Sequence, residues 1–176
     1  MVEIIKTIEF DISSQVHQQI TKLHNICSDY HHSRSYFKQL PHFRYLAFAD
    51  DKLVAHMGVD HRVIRVGDSI FSIFGVIDLF VRPSDRRQGI ASHLLNLLTE
   101  LAQSKSIDFL FLVSGNDRFY LKNGFKAVSQ ECSWLGIEEH QNCGILTETI
   151  EKNFMVKQTG DKSWIDAPID LLGYMF

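Results

Sequence analysis

The sequence predicts an α+β (mixed α/β) domain built on a mostly antiparallel mixed sheet, and three observations predict it. Three strand-like runs follow one another between residues 44 and 81, separated only by the turns Asp50-Asp51 and Gly67-Asp68. Links that short join antiparallel neighbours. A helical stripe over Gly89–Ser104 then stands between the run ending at Val81 and a continuous apolar run, Ile107–Val113. A strand–helix–strand unit of this kind calls for one parallel pair with a right-handed crossover. Strand-like composition returns over Phe125–Trp134 and Gly144–Ile150. The expected order is an antiparallel meander first, one parallel crossover in the middle and antiparallel strands last, within a single domain over residues 1–176.

Taken in order, Val2–Phe10 sets Ile4, Ile8 and Phe10 against Glu3, Thr7 and Glu9, the alternation of a first strand. Asp11 or Ser13-Ser14 caps a helix with Val16, Ile20, Leu23 and Cys27 at helical spacing. His31–Pro41 is a polar helix or loop that Pro41 ends. Arg44–Ala49, Lys52–Val66 and Ser69–Val81 are rich in β-branched and aromatic residues and form the meander. Ile90, Leu94, Leu97, Leu98 and Leu101 recur as one stripe, so the next element is an amphipathic helix. Ile107–Val113 is a buried strand, Asn116–Lys122 suits a short helix, and Gly124 stands where a C-terminal cap is needed. The segment 153–176, with Trp164 and the apolar end Leu171–Phe176, is expected to fold back onto the domain.

Composition excludes several classes. Apolar residues make up 45% and charged residues 22%, the balance of a globular chain rather than a disordered one. The formal net charge of −3 comes with no block of like charge, so no nucleic-acid partner is expected. Cys27, Cys132 and Cys143 are odd in number and widely spaced, which speaks for free thiols and against a disulfide framework or a metal site. Nine histidines include the pair His31-His32, but adjacent side chains do not share a helix face and no carboxylate completes a ligand spacing. They read as scattered surface or core histidines, and no metal is expected. The opening Met1–Lys6 lacks the basic-then-apolar pattern of a signal peptide. The most apolar stretch, Ile70–Val81, is shorter than the roughly 20 residues that span a bilayer. The expectation is a cytoplasmic protein with no membrane partner.

The chemistry concentrates in Val81-Arg82-Pro83-Ser84-Asp85-Arg86-Arg87-Gln88-Gly89-Ile90-Ala91. A strand ends there, and a basic loop with one glycine opens the long helix. Helix N-termini leave amide N–H groups unpaired and carry partial positive charge, which suits an anion. Gly89 admits a ligand close to the backbone, Ala91 keeps the first turn uncrowded, and Arg86 and Arg87 add charge for phosphate oxygens. A polar turn before a helix is the plainer alternative. No Gly-Lys-Ser/Thr ending, three-glycine fingerprint or Gly-x-Ser-x-Gly elbow is present. Downstream, Phe119-Tyr120-Leu121-Lys122-Asn123-Gly124-Phe125 follows the buried strand.

Together these two stretches resemble the GNAT superfamily of acyl-CoA N-acyltransferases. Arg86–Ala91 is similar to its pyrophosphate-binding pattern, Gln/Arg-x-x-Gly-x-Gly/Ala, and Phe119–Phe125 to the motif that sets a tyrosine on a short helix before Gly-Phe. The likeness has its core at about residues 73–128. It implies a sheet splayed between the strands ending at Val81 and Val113. It also implies acetyl-CoA (or another acyl-CoA) as acyl donor and a small-molecule amine as acceptor, with direct attack through a tetrahedral intermediate. Pantetheine would follow Leu79, Phe80 and Val81, and pyrophosphate the turn of Arg86, Arg87, Gln88, Gly89, Ile90 and Ala91. Tyr120 would protonate the leaving thiolate, a transfer that ordinary phenol and thiol acidities of about 10 and 8.5 allow. The alternative for Tyr120 is an aromatic packed under its own helix.

Asp78, in an otherwise apolar strand, is the candidate proton acceptor; the alternative is a carboxylate that faces solvent or pairs with Arg82. Relatives that work with water and backbone groups leave a dedicated base unnecessary. Ser114 and Asn116 follow the buried strand, where ligands or helix caps are both expected. Leu53–Gly58 and Val63–Gly67, with Trp164 and the Asp170–Phe176 tail, are similar to aminoglycoside 2′-N-acetyltransferases and nodulation-type N-acyltransferases, although Ile77 stands where the aminoglycoside enzymes carry Glu. Two other functions fit the same residues: a non-catalytic acyl-CoA sensor and a protein-amine acetyltransferase. Homodimerisation through an edge strand is left open.

Overall fold

Alternation at the start of the chain gives β1 (Val2–Ile8), and a 3₁₀ turn over Glu9–Asp11 takes the place of the expected last strand residues. Ser13 then caps α1 (Ser14–Cys27), its hydroxyl accepting the amide of Val16. The order continues with β2 (Phe43–Ala49), β3 (Lys52–Val66), β4 (Ser69–Val81), a 3₁₀ turn at Pro83–Asp85 and α2 (Ile90–Ser104). Then come β5 (Phe109–Val113), α3 (Asp117–Lys122), β6 (Lys126–Glu138), β7 (Gln141–Gln158) and β8 (Ile169–Tyr174). These elements belong to a computed structural model that describes residues 2–29, 31–115 and 117–176, the side chains of Asp117 and Lys152 excepted. The segment 31–41 is loop rather than helix.

The chain divides into two units, Met1–Asp60 with Val76–Leu97, and His61–Gly75 with Leu98–Phe176. In the first, β1 runs antiparallel to β2 and β2 to β3, with register shifted between Ala47 and Phe48. Ile20 and Leu23 of α1 close over Leu46 and Leu53, flanked by Val16, Cys27, Phe48 and Phe80. The helical spacing of those α1 residues is thus the face that is buried.

In the second unit, β4 pairs parallel with β5 from Ile73–Gly75 to Phe109–Phe111, which is the predicted crossover pair. The ladder ends there, although β5 runs on to Val113 and β4 to Val81. β5 is antiparallel to β7, and β7 to β6. β7 is far longer than the predicted Gly144–Ile150, because its polar first half still has a ladder partner in β6. The expectation of only antiparallel strands at the end needs correcting. β8 lies parallel to β6 and also antiparallel to the end of β3, at Arg65 and Val66. The final segment therefore completes the sheet, and the fold is an α+β mixed sheet with few helices. Its core holds Phe71, Phe109, Phe111, Phe154, Ile169 and Leu171. Trp164 belongs to it, stacking on Phe71 and donating its indole N–H to Gln130 Oε1 at 2.7 Å. The Phe176 ring lies over Gly75, where a Cβ would overlap it.

Candidate active site

In the first unit, the end of β4 passes from buried to half-buried positions. Ile77 to Val81 are all half-buried. At Asp78 the backbone enters the left-handed region, φ 51°, which is unfavourable for a side chain with a Cβ. One such residue inside a strand re-aims the side chains around it, as in a β-bulge. The backbone carbonyl of Asp78 is held by the Nδ1 of His56, 3.0 Å away. The other ring nitrogen of His56 receives Arg44 Nη1 at 2.8 Å. A guanidinium only donates, so Nε2 must be the acceptor and the His56 proton sits on Nδ1, donating to Asp78.

Arg44 in turn is fixed from three sides. Its Nε and Nη2 reach the Glu9 carboxylate at 2.6 and 2.9 Å, and Nη1 also donates to the Ser35 carbonyl. Arg44 is 1% exposed, so this bidentate pair supplies the counter-charge that a buried cation requires. Burial, with Arg44 beside it, lowers the pKa of His56 to about 3, and the ring is neutral at physiological pH.

The Asp78 carboxylate faces His24 of α1, with Nε2 of the ring 3.2 Å from Oδ2. The contact is close but off the hydrogen-bonding axis, and both His24 nitrogens are buried without an aligned partner. Burial pushes the Asp78 pKa up, yet His24, His56 and Arg44 together more than offset it and hold the carboxyl below its ordinary value. Its side chain keeps 22% of its surface exposed, so an ionised oxygen is open to a ligand. Pairing with Arg82 does not occur, because Arg82 Nε is 2.6 Å from Asp85 Oδ2.

Beyond Val81 the loop opens outward. Arg86, Arg87, Gln88 and Gly89 are exposed, while Ile90 turns into the interior and Ala91 is half-buried. Gly89 has φ 81°, and nothing lies within 4 Å of where its Cβ would stand. The glycine is needed for the backbone turn, and the space above it is free. The first helical hydrogen bond of α2 runs from His93 N–H to Gly89 O, so the amides before His93 have no helical acceptor. Arg86 Nε and the Cys27 thiol both donate to the Val81 carbonyl, at 3.1 and 3.4 Å. That carbonyl is therefore already used within the protein, whereas Leu79 and Phe80 are half-buried at the strand's end. A separate groove of about 490 Å³ between α1 and residues 33–40 carries Lys22 and Arg34 and no carboxylate, so it does not suit a cation.

In the second unit Tyr120 sits on α3 between the rings of Phe119 and Phe125, at 5.0 and 5.5 Å. Burial pushes its phenol up to about 12, while a hydrogen bond with the Ser114 side chain pulls the other way. The phenol is thus protonated at neutral pH and flanked by a residue that also drew notice in the sequence. Gly124, φ 83°, ends the helix with Phe125 N–H returning to Tyr120 O, as its position predicted. Asn116 lies outside the described residues. The histidines that surround Asp78 were passed over in the sequence. Their signal was present: His24 falls on the Ile20–Leu23–Cys27 face of α1, and His56 interrupts an apolar run.

Cys27, Cys132 and Cys143 are free, and burial pushes Cys132 up to about 12. Among the described residues no group of three or more His, Cys, Asp or Glu side chains is arranged to hold a metal ion. No helix among them is long and apolar enough to cross a membrane.

Comparison with known proteins adds the relationship. The family described as Acetyltransferase (GNAT) domain matches residues 10–128. No curated protein sequence matches the chain. Among solved structures, a GNAT family N-acetyltransferase (YhbS) from Escherichia coli in complex with CoA aligns over 97% of this chain and 89% of that one. The TM-score is 0.67 and the identity 15%. The ribosomal-protein-S18-alanine N-acetyltransferase from Escherichia coli aligns over 93% and 97%, with TM-score 0.58 and 12% identity. Eis1 from Mycobacterium abscessus aligns at TM-score 0.61 and 14% identity over 76% of this chain. This chain spans 33% of that protein's length.

Proposed function

The chain belongs to the GNAT acetyltransferase family, and from that premise we propose that it transfers an acetyl group from acetyl-CoA to the primary amine of a small molecule. Residues 1–176 are taken as one such domain, since β3, β4 and α2 each contribute residues to both units. The observation that carries the proposal is Asp78. It is a partly exposed carboxylate, kept ionised by its neighbours, on a left-handed turn of the strand that leads into the Arg86–Ala91 loop. An amine reaches neutral pH as ammonium and must lose a proton before it can attack. Asp78 both attracts that cation and accepts its proton.

The loop supplies the other half. The amides of the first turn of α2, Arg87 and the open space over Gly89 suit the pyrophosphate of acyl-CoA. The backbone of Leu79 and Phe80 offers groups for the pantetheine arm and for the developing oxyanion. Two protons leave the nitrogen as its bond to the acyl carbon forms and the carbon–sulfur bond breaks. One goes to Asp78; the other replaces the proton that Tyr120 gives to sulfur. A phenol near 12 donates uphill to a thiolate in water, but a desolvated thiolate is itself more basic, which narrows the gap. Three unpaired cysteines suit work in the reducing cytoplasm.

The test mixes purified protein with acetyl-CoA and a panel of polyamines, aminoglycosides, amino acids and short peptides, and follows free thiol. Release that depends on one class of small amine and falls at least about 100-fold in Asp78→Asn and Tyr120→Phe is expected. Release with peptides alone would make the acceptor a protein amine. CoA binding by thermal shift with no release for any amine would mark a sensor, and no CoA binding at all would refute the assignment of Arg86–Ala91.

A further inference from the structure

His24 is a polar side chain in a place that calls for an apolar one. It shares the buried face of α1 with Ile20 and Leu23, and the edge of its ring meets the Phe80 ring at 4.5 Å and 87°. Both of its nitrogens are buried with no aligned hydrogen-bond partner. A buried donor left without an acceptor is destabilising, and a leucine here would avoid that cost. The imidazole does have one close polar neighbour, Asp78 Oδ2, 3.2 Å from Nε2. Hydrogen bonds that serve catalysis are commonly long or misaligned in a free enzyme and tighten when substrate binds.

We propose that His24 is the positioning residue of Asp78: its Nε2–H holds Oδ2, so that Oδ1 is turned to the acceptor amine. This rests on Asp78 being the proton acceptor. When the ammonium engages Oδ1, the two groups come into line. An N–H bond of the ammonium breaks and an O–H bond forms on Asp78, while His24 keeps its own Nε2 proton and only donates. The other groups that face this carboxylate are set apart by their own partners. His56 of β3 is neutral and bound to the Asp78 backbone carbonyl, and Arg44 of β2 is paired with Glu9. His32 also neighbours His24, its ring centre 6.0 Å away, and is not among the groups that act on Asp78. Among the described residues, His24 is the side chain whose nitrogen stands 3.2 Å from the carboxylate.

The test uses the full chain with His24→Leu, which keeps the volume and loses the donor, and His24→Gln, whose amide reaches the place of Nε2. In His24→Leu, kcat is expected to fall about 10- to 100-fold with KM for acetyl-CoA unchanged. His24 lowers the Asp78 pKa, so the acid limb of kcat/KM should also move to higher pH. His24→Gln should recover most of both. A second measurement does not need turnover: the ¹³C carboxyl shift of Asp78, titrated by NMR in wild type and both variants, should show a higher midpoint in His24→Leu alone. An Asp78 titration identical in all three proteins would overturn the inference, even if His24→Leu were less stable. Absence of wild-type turnover would refute the proposed function while the NMR midpoints still decide the pairing. Wild-type turnover with a normal kcat and acid limb in His24→Leu would remove the positioning role alone.

Discussion

The buried His56 makes folding stability depend on pH in a calculable way. Its folded-state pKa lies near 3 against about 6.5 in the unfolded chain, because burial and Arg44 both disfavour the imidazolium. A lowered pKa means that the unfolded state binds the extra proton first. The stabilisation is complete above pH 6.5 and is lost as pH falls from there towards 3. Integrating the linkage from pH 7 to pH 5 gives a loss of about 2 kcal/mol from this one ring, or about 4–8 °C in Tm for a chain of this length. His56→Gln cannot take up a proton in that window. Urea denaturation of both proteins at pH 7, 6 and 5 isolates the effect: the wild type should lose about 2 kcal/mol more than the variant. Equal losses in the two would refute the account of His56 as a neutral link between Arg44 and Asp78. The variant's lower stability at pH 7 has no bearing on that comparison, which rests on the slopes.

Two further substitutions test what holds each unit together, one in each. Glu9→Ala removes the counter-charge from an arginine that is 1% exposed and should cost about 3–5 kcal/mol in urea denaturation at pH 7, with less than 1 kcal/mol refuting it. Gly75→Ala puts a Cβ into the Phe176 ring, which rests on Phe111 and on the Arg62 guanidinium. It should cost about 1–3 kcal/mol, and deleting Phe176 in the same background should recover part of that loss in a double-mutant cycle.

Much of this was legible in the sequence because it depends on period and punctuation. The bounds of β3 and β4 coincide with the predicted Lys52–Val66 and Ser69–Val81, since dense β-branched runs between two-residue turns leave little freedom in register. The loop into α2 was legible for the same reason: Gly89 has a left-handed φ that its neighbours would adopt only with strain. The end of the chain was not legible. β8 is made by pairing with residues near 65 and 132, and nothing local in Ile169–Tyr174 announces partners so distant. The surroundings of Asp78 were hidden for a related cause. Asp78 itself stood out as a charge in an apolar strand, but Glu9, His24, Arg44 and His56 come from four separate segments. Each, taken singly, resembles an ordinary polar residue. Only the fold shows that their side chains form one connected set.

The charge balance of that set bears on what it can bind. Glu9 and Arg44 cancel one another and His56 is neutral, so none of these three offsets the charge of the Asp78 carboxylate. Arg44 is already satisfied by four hydrogen bonds, two of them to Glu9, and acts on Asp78 through His56 rather than by direct contact. A carboxylate that is partly buried, ionised and without a fixed cation of its own is completed by a cation that arrives with the ligand. Under the proposed function an ammonium would meet that need on binding and lose its charge on reaction, after which the acylated product, a neutral amide, would have no further attraction to Asp78. In the proposed reaction the same residue would favour entry of the amine and departure of the amide, an asymmetry that an acceptor neutral before the reaction, such as a lone imidazole, would not provide.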